Sequence, residues 1–186
     1  MTLAKLPPHD VSAEEAVIAA LMLDDDAILR VVGEGLQPAD FFREQNRWCY
    51  EAAIAISERG EQITIWTMAH ELDRAGHIDA IGGEPELVEI VGRHFTAQGV
   101  EAHAKIVARD ATYRRMIQAA GQIAALAYEG RAKVEDALGE AENLLRGVST
   151  ANVSGGAHHI SEIVDVGDSE DRKLVTTGFT AVDRVV

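Results

Sequence analysis

Cysteine, aromatic residues and proline are all scarce in this sequence, and each shortage narrows what it can be. The single cysteine, Cys49, excludes a disulfide framework and fits a reducing compartment. It sits in an apolar helical pattern with no recognisable activating neighbour, which predicts a buried packing role rather than a nucleophile. Aromatic side chains make up 5% of the residues against 47% hydrophobic overall, so the core is expected to be alanine-rich and built from closely packed helices. No apolar run reaches the length of a membrane span, and the opening MTLAKLPPHD lacks the hydrophobic stretch of a signal peptide. A cytoplasmic protein is expected.

Recognisable chemistry is missing too. There is no HExxH pattern, no serine-centred elbow and no thiol–histidine arrangement. No G-x-x-x-x-G-K-[ST] phosphate loop occurs; Gly82-Gly83 and Gly155-Gly156 lack the lysine that would meet a nucleotide's phosphates. Of the seven histidines only His158 and His159 are adjacent, and a pair in a linker makes a weak metal site. The acidic triplet Asp24-Asp25-Asp26 lacks the glycine and distal glutamate of a calcium loop and reads as a turn that caps a helix. No catalytic, cofactor-binding or metal-ligating residue is therefore predicted.

What the sequence does have is acid and helical periodicity. The formal net charge is −14, distributed unevenly. Residues 1–60 carry 5 basic and 11 acidic side chains and residues 61–100 carry 2 and 7, whereas residues 101–150 balance at 7 and 7. An acidic surface over residues 1–100 repels phosphate and disfavours direct duplex binding there. The stretch from Glu101 to about Val148 carries the strongest pattern. Its first part, through Glu129, contains no proline; Ile106, Tyr113, Ala120 and Ala127 recur at heptad spacing, with Ile117 and Ala124 between them and Asp110 as the polar lapse. Its second part places Val134, Leu138, Ala141, Leu145 and Val148 on one seam. Joined at Glu129-Gly130-Arg131, the two parts read as an antiparallel helical hairpin, which has little to bury against except a second copy. Gly121, among alanines, suits either a close helix approach or an exposed face, at a cost of about 1 kcal/mol relative to alanine. Arg114 and Arg115 suit either acidic groups on a partner or simple solvation.

Before the hairpin, Ser12 to Glu15 reads as a capping box for a first helix with Val17, Ala20 and Leu21 on one face. A second helix carries Ile28, Leu29 and Val32 inward. A loop through Gly33, Gly35 and Pro38 leads to a third, roughly Glu44 to Glu58, with Gly60 closing it. Thr64 caps a fourth, ended by Gly76, and residues 77–83 read as a loop. Pro85 opens a short fifth helix, and Thr96 caps the long one. From Ser149 to His159 the small residues read as the start of a flexible linker, followed by an apolar patch from Ile160 to Val166 and the acidic stretch GDSEDRK. The predicted organisation is an all-α head over residues 1–100, a hairpin over 101–148, a linker over 149–175 and a short opening of something further over 176–186.

In order, Pro7-Pro8-His9, Glu14 to Ile18, Ala20 to Asp24, Asp40-Phe41-Phe42, Gly60, Ile63, Gly76, Gly82-Gly83, Leu87 to Ile90, Ala104 to Val107 and Arg114 to Ile117 resemble the N-terminal domain of bacterial DnaB-type replicative DNA helicases. Thr177 to Asp183 is similar to the segment that opens that family's RecA-like ATPase domain. The resemblance implies a helical head and hairpin that pair between subunits as dimers, or as a trimer of dimers in a hexamer, and that dock primase. A helicase loader is a further partner to look for. The ATP and Mg²⁺ chemistry, and DNA contact, belong to the motor domain, whose phosphate loop is absent here. Residues 160–177 are shorter than the family's linker-helix region, and an end at Arg184-Val185-Val186, within an apolar run, is expected of a fragment. The other reading is a stand-alone helical adaptor or decoy that pairs with a host helicase. The interaction residues expected on the hairpin are Ile106, Tyr113, Ile117, Ala120, Ile123 and Ala124 in its first helix and Leu138, Ala141 and Leu145 in its second.

Overall fold

The computed structural model describes residues 6–130 and 133–153, with side chains placed through Val148. Among them are eight α-helices: α1 (Val11–Leu23), α2 (Ala27–Gly33), α3 (Glu44–Glu58), α4 (Ile65–Arg74), α5 (Ile78–Ile81), α6 (Gly83–Arg93), α7 (Val100–Glu129) and α8 (Val134–Val153). A single 3-10 turn, Pro38–Asp40, precedes α3, and no strand occurs among the described residues. The all-α expectation is met.

The head is organised around α1. Residues Ala13 to Leu21 are all buried, because α1 is flanked by α2, α3, α6 and α7 and has no free side. Nearly every position in that run is alanine, valine, isoleucine or leucine, which lets four neighbours approach closely; the exceptions are Glu14 and Glu15. Around α1 the core takes Val31, Leu36, Phe41, Cys49, Tyr50, Ile56, Met68, Leu72, Leu87 and Ile90. Cys49 is buried as expected, and burial pushes its thiol up to about 12. Burial likewise raises the Tyr50 phenol to about 12, and its hydroxyl donates to the Leu36 carbonyl at 3.0 Å.

Helix ends explain most departures from the sequence reading. Helix α1 is capped by Asp10, whose carboxylate accepts from the Ala13 amide at 3.0 Å, so Ser12 lies inside the helix and the expected capping box does not form. Aspartate caps as well as serine does, and the earlier start frees Glu15 for arginine partners. In α2 the inward side chains are Ala27, Ile28 and Val31, while Leu29 and Val32 face solvent. A seven-residue helix offers too few turns to separate the two registers, and packing on α7 selects the +3 spacing. Residues 78–81, expected within a loop, make the single turn of α5, which buries Ile81.

Helix α3 spans the expected residues, with Gly60 beyond its end at φ +71°, a conformation costly for any residue with a Cβ. Helix α4 is capped by Thr64, which accepts from the Thr67 amide at 3.2 Å. Buried Glu71 receives Arg59 at 2.8 Å and Arg74 at 2.7 Å, fastening the end of α3 to α4. The long helix does not start at Thr96. That hydroxyl accepts from the Gln98 amide at 3.1 Å in a local turn, and Gly99, at φ +79°, redirects the chain so that Val100 enters the core. At the other end α8 runs through Val153, beyond the predicted linker start at Ser149; no glycine or proline interrupts Ser149 to Val153. The remainder of the predicted linker, His158-His159 and the segment from Thr177 lie outside the described residues.

Candidate self-association surface

Helix α7 serves two bodies in succession. Val100, Ala104, Val107 and Ala111 recur at +4, +3 and +4 on one face, and all are buried against the head. Asp110, the polar lapse in the heptad row, is buried beside them and receives Arg109 Nε at 2.9 Å. Beyond Ala111 the helix leaves the head and pairs with α8, which returns along it after the turn at Gly130.

The two hairpin helices do not close over each other completely. Ile123, Leu126, Ala127 and Gly130 face Val134, Ala137, Leu138 and Ala141 across an apolar groove of about 310 Å³. Large apolar side chains also stand outside it: Tyr113 and Met116 are 50% exposed, Ile117 55% and Leu145 54%, while Leu138 at the groove is itself 59% exposed. An isolated exposed leucine is ordinary; a row of large apolar side chains along one hairpin is an apolar face left open.

The nine side chains nominated from sequence fall into three groups. Ile123, Leu138 and Ala141 meet in the groove between the helices. Tyr113, Ile117, Ala120 and Ala124 are exposed on α7, and Leu145 is exposed on α8. Ile106 is partly buried against the head core. The heptad row that contains it starts on the head and ends at Ala127 in the groove, because a straight helix drifts about 20° per heptad. Sequence reasoning left out Met116 and Leu126, each three residues after a nominated position (Tyr113 and Ile123), a spacing that would have found them.

Arg114 and Arg115, weighed above as partner-facing or solvated, are used within the chain. Arg114 donates to the Pro8 carbonyl at 2.8 Å and to the Asp40 carbonyl, and its guanidinium lies 5.7 Å from the centre of the Phe42 ring. Arg115 forms an ion pair with the buried Asp40 carboxylate. Burial lowers the Arg114 pKa, opposed by the nearby carboxylates of Glu14, Asp40 and Asp110. His9 stacks on Phe42 with ring centres 4.1 Å apart.

The same segment contains a cap that no local pattern reveals. Helix α3 has no side-chain cap of its own. Glu14, 1% exposed in the middle of α1, supplies one: its carboxylate accepts from the Phe42 and Arg43 amides and from Asn46 Nδ2 at 2.9 Å. A buried anion at a helix N-terminus is satisfied by the orphan amides and the helix dipole together. Glu15 next to it binds Arg43 at 3.1 Å and Arg93 at 3.2 Å, tying α1 to the start of α3 and the end of α6. The buried carboxylates are thus committed to protein donors.

Comparison with known proteins agrees with this architecture. The family model for the DnaB-like helicase N terminal domain matches residues 6–109. The chain is 32% identical, over 97% of its length, to the replicative DNA helicase DnaC of Bacillus subtilis (strain 168). It is 30% identical, also over 97% of its length, to the replicative DNA helicase DnaB of Geobacillus stearothermophilus. It spans 42% of the length of each of these relatives. The crystal structure of the N-terminal domain of DnaB helicase from Mycobacterium tuberculosis superposes with a TM-score of 0.73 at 33% identity, covering 76% of this chain and 99% of that one. No helix among the described residues is long and apolar enough to cross a membrane. The ordered helices, the α1-centred head and the projecting hairpin, together with these matches, place the chain in the DnaB-like helicase N-terminal domain family.

Proposed function

We propose that this chain is the assembly collar of a replicative DNA helicase, acting by binding rather than by catalysis. In this reading the hairpin of one copy pairs with the hairpin of another, and the paired collar offers a docking surface to primase. Unwinding, with its ATP, Mg²⁺ and DNA, belongs to a motor domain of the kind that occupies the remainder of the longer relatives.

The observation that carries the reading is the open apolar face of the hairpin. Tyr113, Met116 and Ile117 on α7, with Leu138 and Leu145 on α8, are about half exposed in the single chain. Completing the burial of such half-exposed side chains is worth roughly half of the 1.5–3 kcal/mol of a full burial each, so covering several together favours a second copy over solvent. The charge distribution points the same way. The head is strongly acidic and would repel another head, while the 7 acidic and 7 basic side chains of residues 101–150 cancel.

Ile117→Asp tests this directly. The side chain is 55% exposed, so the head should stay folded by circular dichroism while self-association and primase binding weaken. An oligomer mass by light scattering that matches the unsubstituted protein would count against the proposal.

A further inference from the structure

The collar reading requires the hairpin to project from the head in a defined direction, and a helix held only by its first three turns does not guarantee that. The run of α7 buried beside the head stops at Ala111; beyond it Ala119 is buried too, whereas Met116 and Ile117 are half exposed. Between Ala111 and Met116 sit Arg114 and Arg115, and both reach back to the head.

We infer that Arg114 and Arg115 are positioning residues: with Pro8, Asp40 and Phe42 they form a clasp that fixes the direction in which α7 leaves the head, and so presents the hairpin's apolar face for pairing. This rests on the collar reading for its purpose, although not for its geometry. Three features distinguish the clasp from scattered surface contacts. First, its acceptors come from two places remote in sequence, the Pro8 carbonyl and the Asp40 carbonyl and carboxylate. The guanidinium groups therefore bind the N-terminal arm and the turn before α3 to one point on α7. Second, Asp40 is 4% exposed, and hydrogen bonds involving charged, desolvated groups are worth more than those at the surface. Third, the turn it grips is itself immobilised. Asp40 accepts from the Gln37 amide at 2.9 Å, Glu14 holds the amides of Phe42 and Arg43, and Phe42 is covered by His9 on one side of the joint and approached by Arg114. A fixed anchor on the head meets a forked cation on the helix, which is the geometry of a joint and not of a solvated charge.

Release of the clasp would leave the first three turns of α7 in the core and free the rest to sample other directions. Spin labels on Asp73→Cys in the head and Glu142→Cys in the hairpin, in a Cys49→Ala background and diluted into unlabelled protein, would report the head-to-hairpin distance within one chain; both labelled positions are exposed. The double variant Arg114→Gln/Arg115→Gln should broaden that distance distribution. Amide exchange should rise roughly tenfold or more in α7 beyond Ala111, with the protection of α1 and α3 retained. Should loss of the Asp40 partner unfold the head, Phe42→Ala makes the same test without stranding a buried charge, because Phe42 is 37% exposed. An unchanged distance distribution, or exchange that accelerates equally through the head and the hairpin, would overturn the inference. The mass of the unsubstituted protein is read separately: a monomer there defeats the pairing reading, while the distance measurement still judges the clasp.

Discussion

Glu14 fastens the start of α3 to α1, and it does so from inside an apolar helix. Its carboxylate takes the place of the missing cap of α3 while lying on the far side of a 28-residue separation in sequence. Replacing it by alanine leaves the amides of Phe42 and Arg43 without their acceptor in a buried setting, and should lower the unfolding free energy by about 2–3 kcal/mol in urea titrations. Glu14→Gln, which keeps an oxygen but loses the charge, should cost less. Cys49 and Tyr50 give the head a defined alkaline limit. Both groups have folded pKa values raised, to about 12, above their ordinary values of 9.0 and 10.0. The folded state therefore holds these protons more tightly than the unfolded chain, and the associated stability is complete below about pH 9 and lost as pH rises toward 12. The thermal midpoint should fall across that window, and Cys49→Ala should flatten the fall near its lower end. At neutral pH the buried Cys49 thiol should react with alkylating reagents only on the timescale of unfolding, as measured by mass spectrometry.

Among the elements, α3, α4 and the hairpin were legible in the sequence because local chemistry specified them. Thr64 and Gly60 marked helix ends, and the +3 and +4 spacings in Glu101–Val148 marked a helix pair. The α2 face, the start of α7 and the roles of Arg114 and Arg115 were not legible, since each is decided by a contact distant in the chain. Leu29 and Ile28 are equally apolar, and only packing on α7 chooses between them. Of the nominated side chains, periodicity could not separate Tyr113 and Ile117, which are half exposed, from Ile123, Leu138 and Ala141, which meet across the hairpin. Gly121 offers a test at this scale. It is helical and exposed, and among the described residues nothing lies within 4 Å of where a Cβ would stand. Gly121→Ala should stabilise α7 by about 0.5–1 kcal/mol, seen as a higher hairpin unfolding temperature or slower amide exchange. Unchanged or reduced hairpin stability would contradict the single-chain packing described here.

As a whole, the molecule divides its labour between an acidic helical head with a satisfied interior and a hairpin whose apolar side chains are left half exposed. The head's buried carboxylates find arginines or amides, whereas the hairpin's Ile117 and Leu145 are about half exposed among the described residues. The chain belongs to the DnaB-like helicase N-terminal domain family, and the proposed collar function assigns the cover of the hairpin to a second copy. The most direct test is the concentration-dependent mass of the protein, by sedimentation equilibrium, beside that of Ile117→Asp/Leu145→Asp. The account predicts a dimer or larger assembly that reverts to a folded monomer in the double variant. A wild-type protein that stays monomeric, or a double variant that assembles as the wild type does, would contradict it.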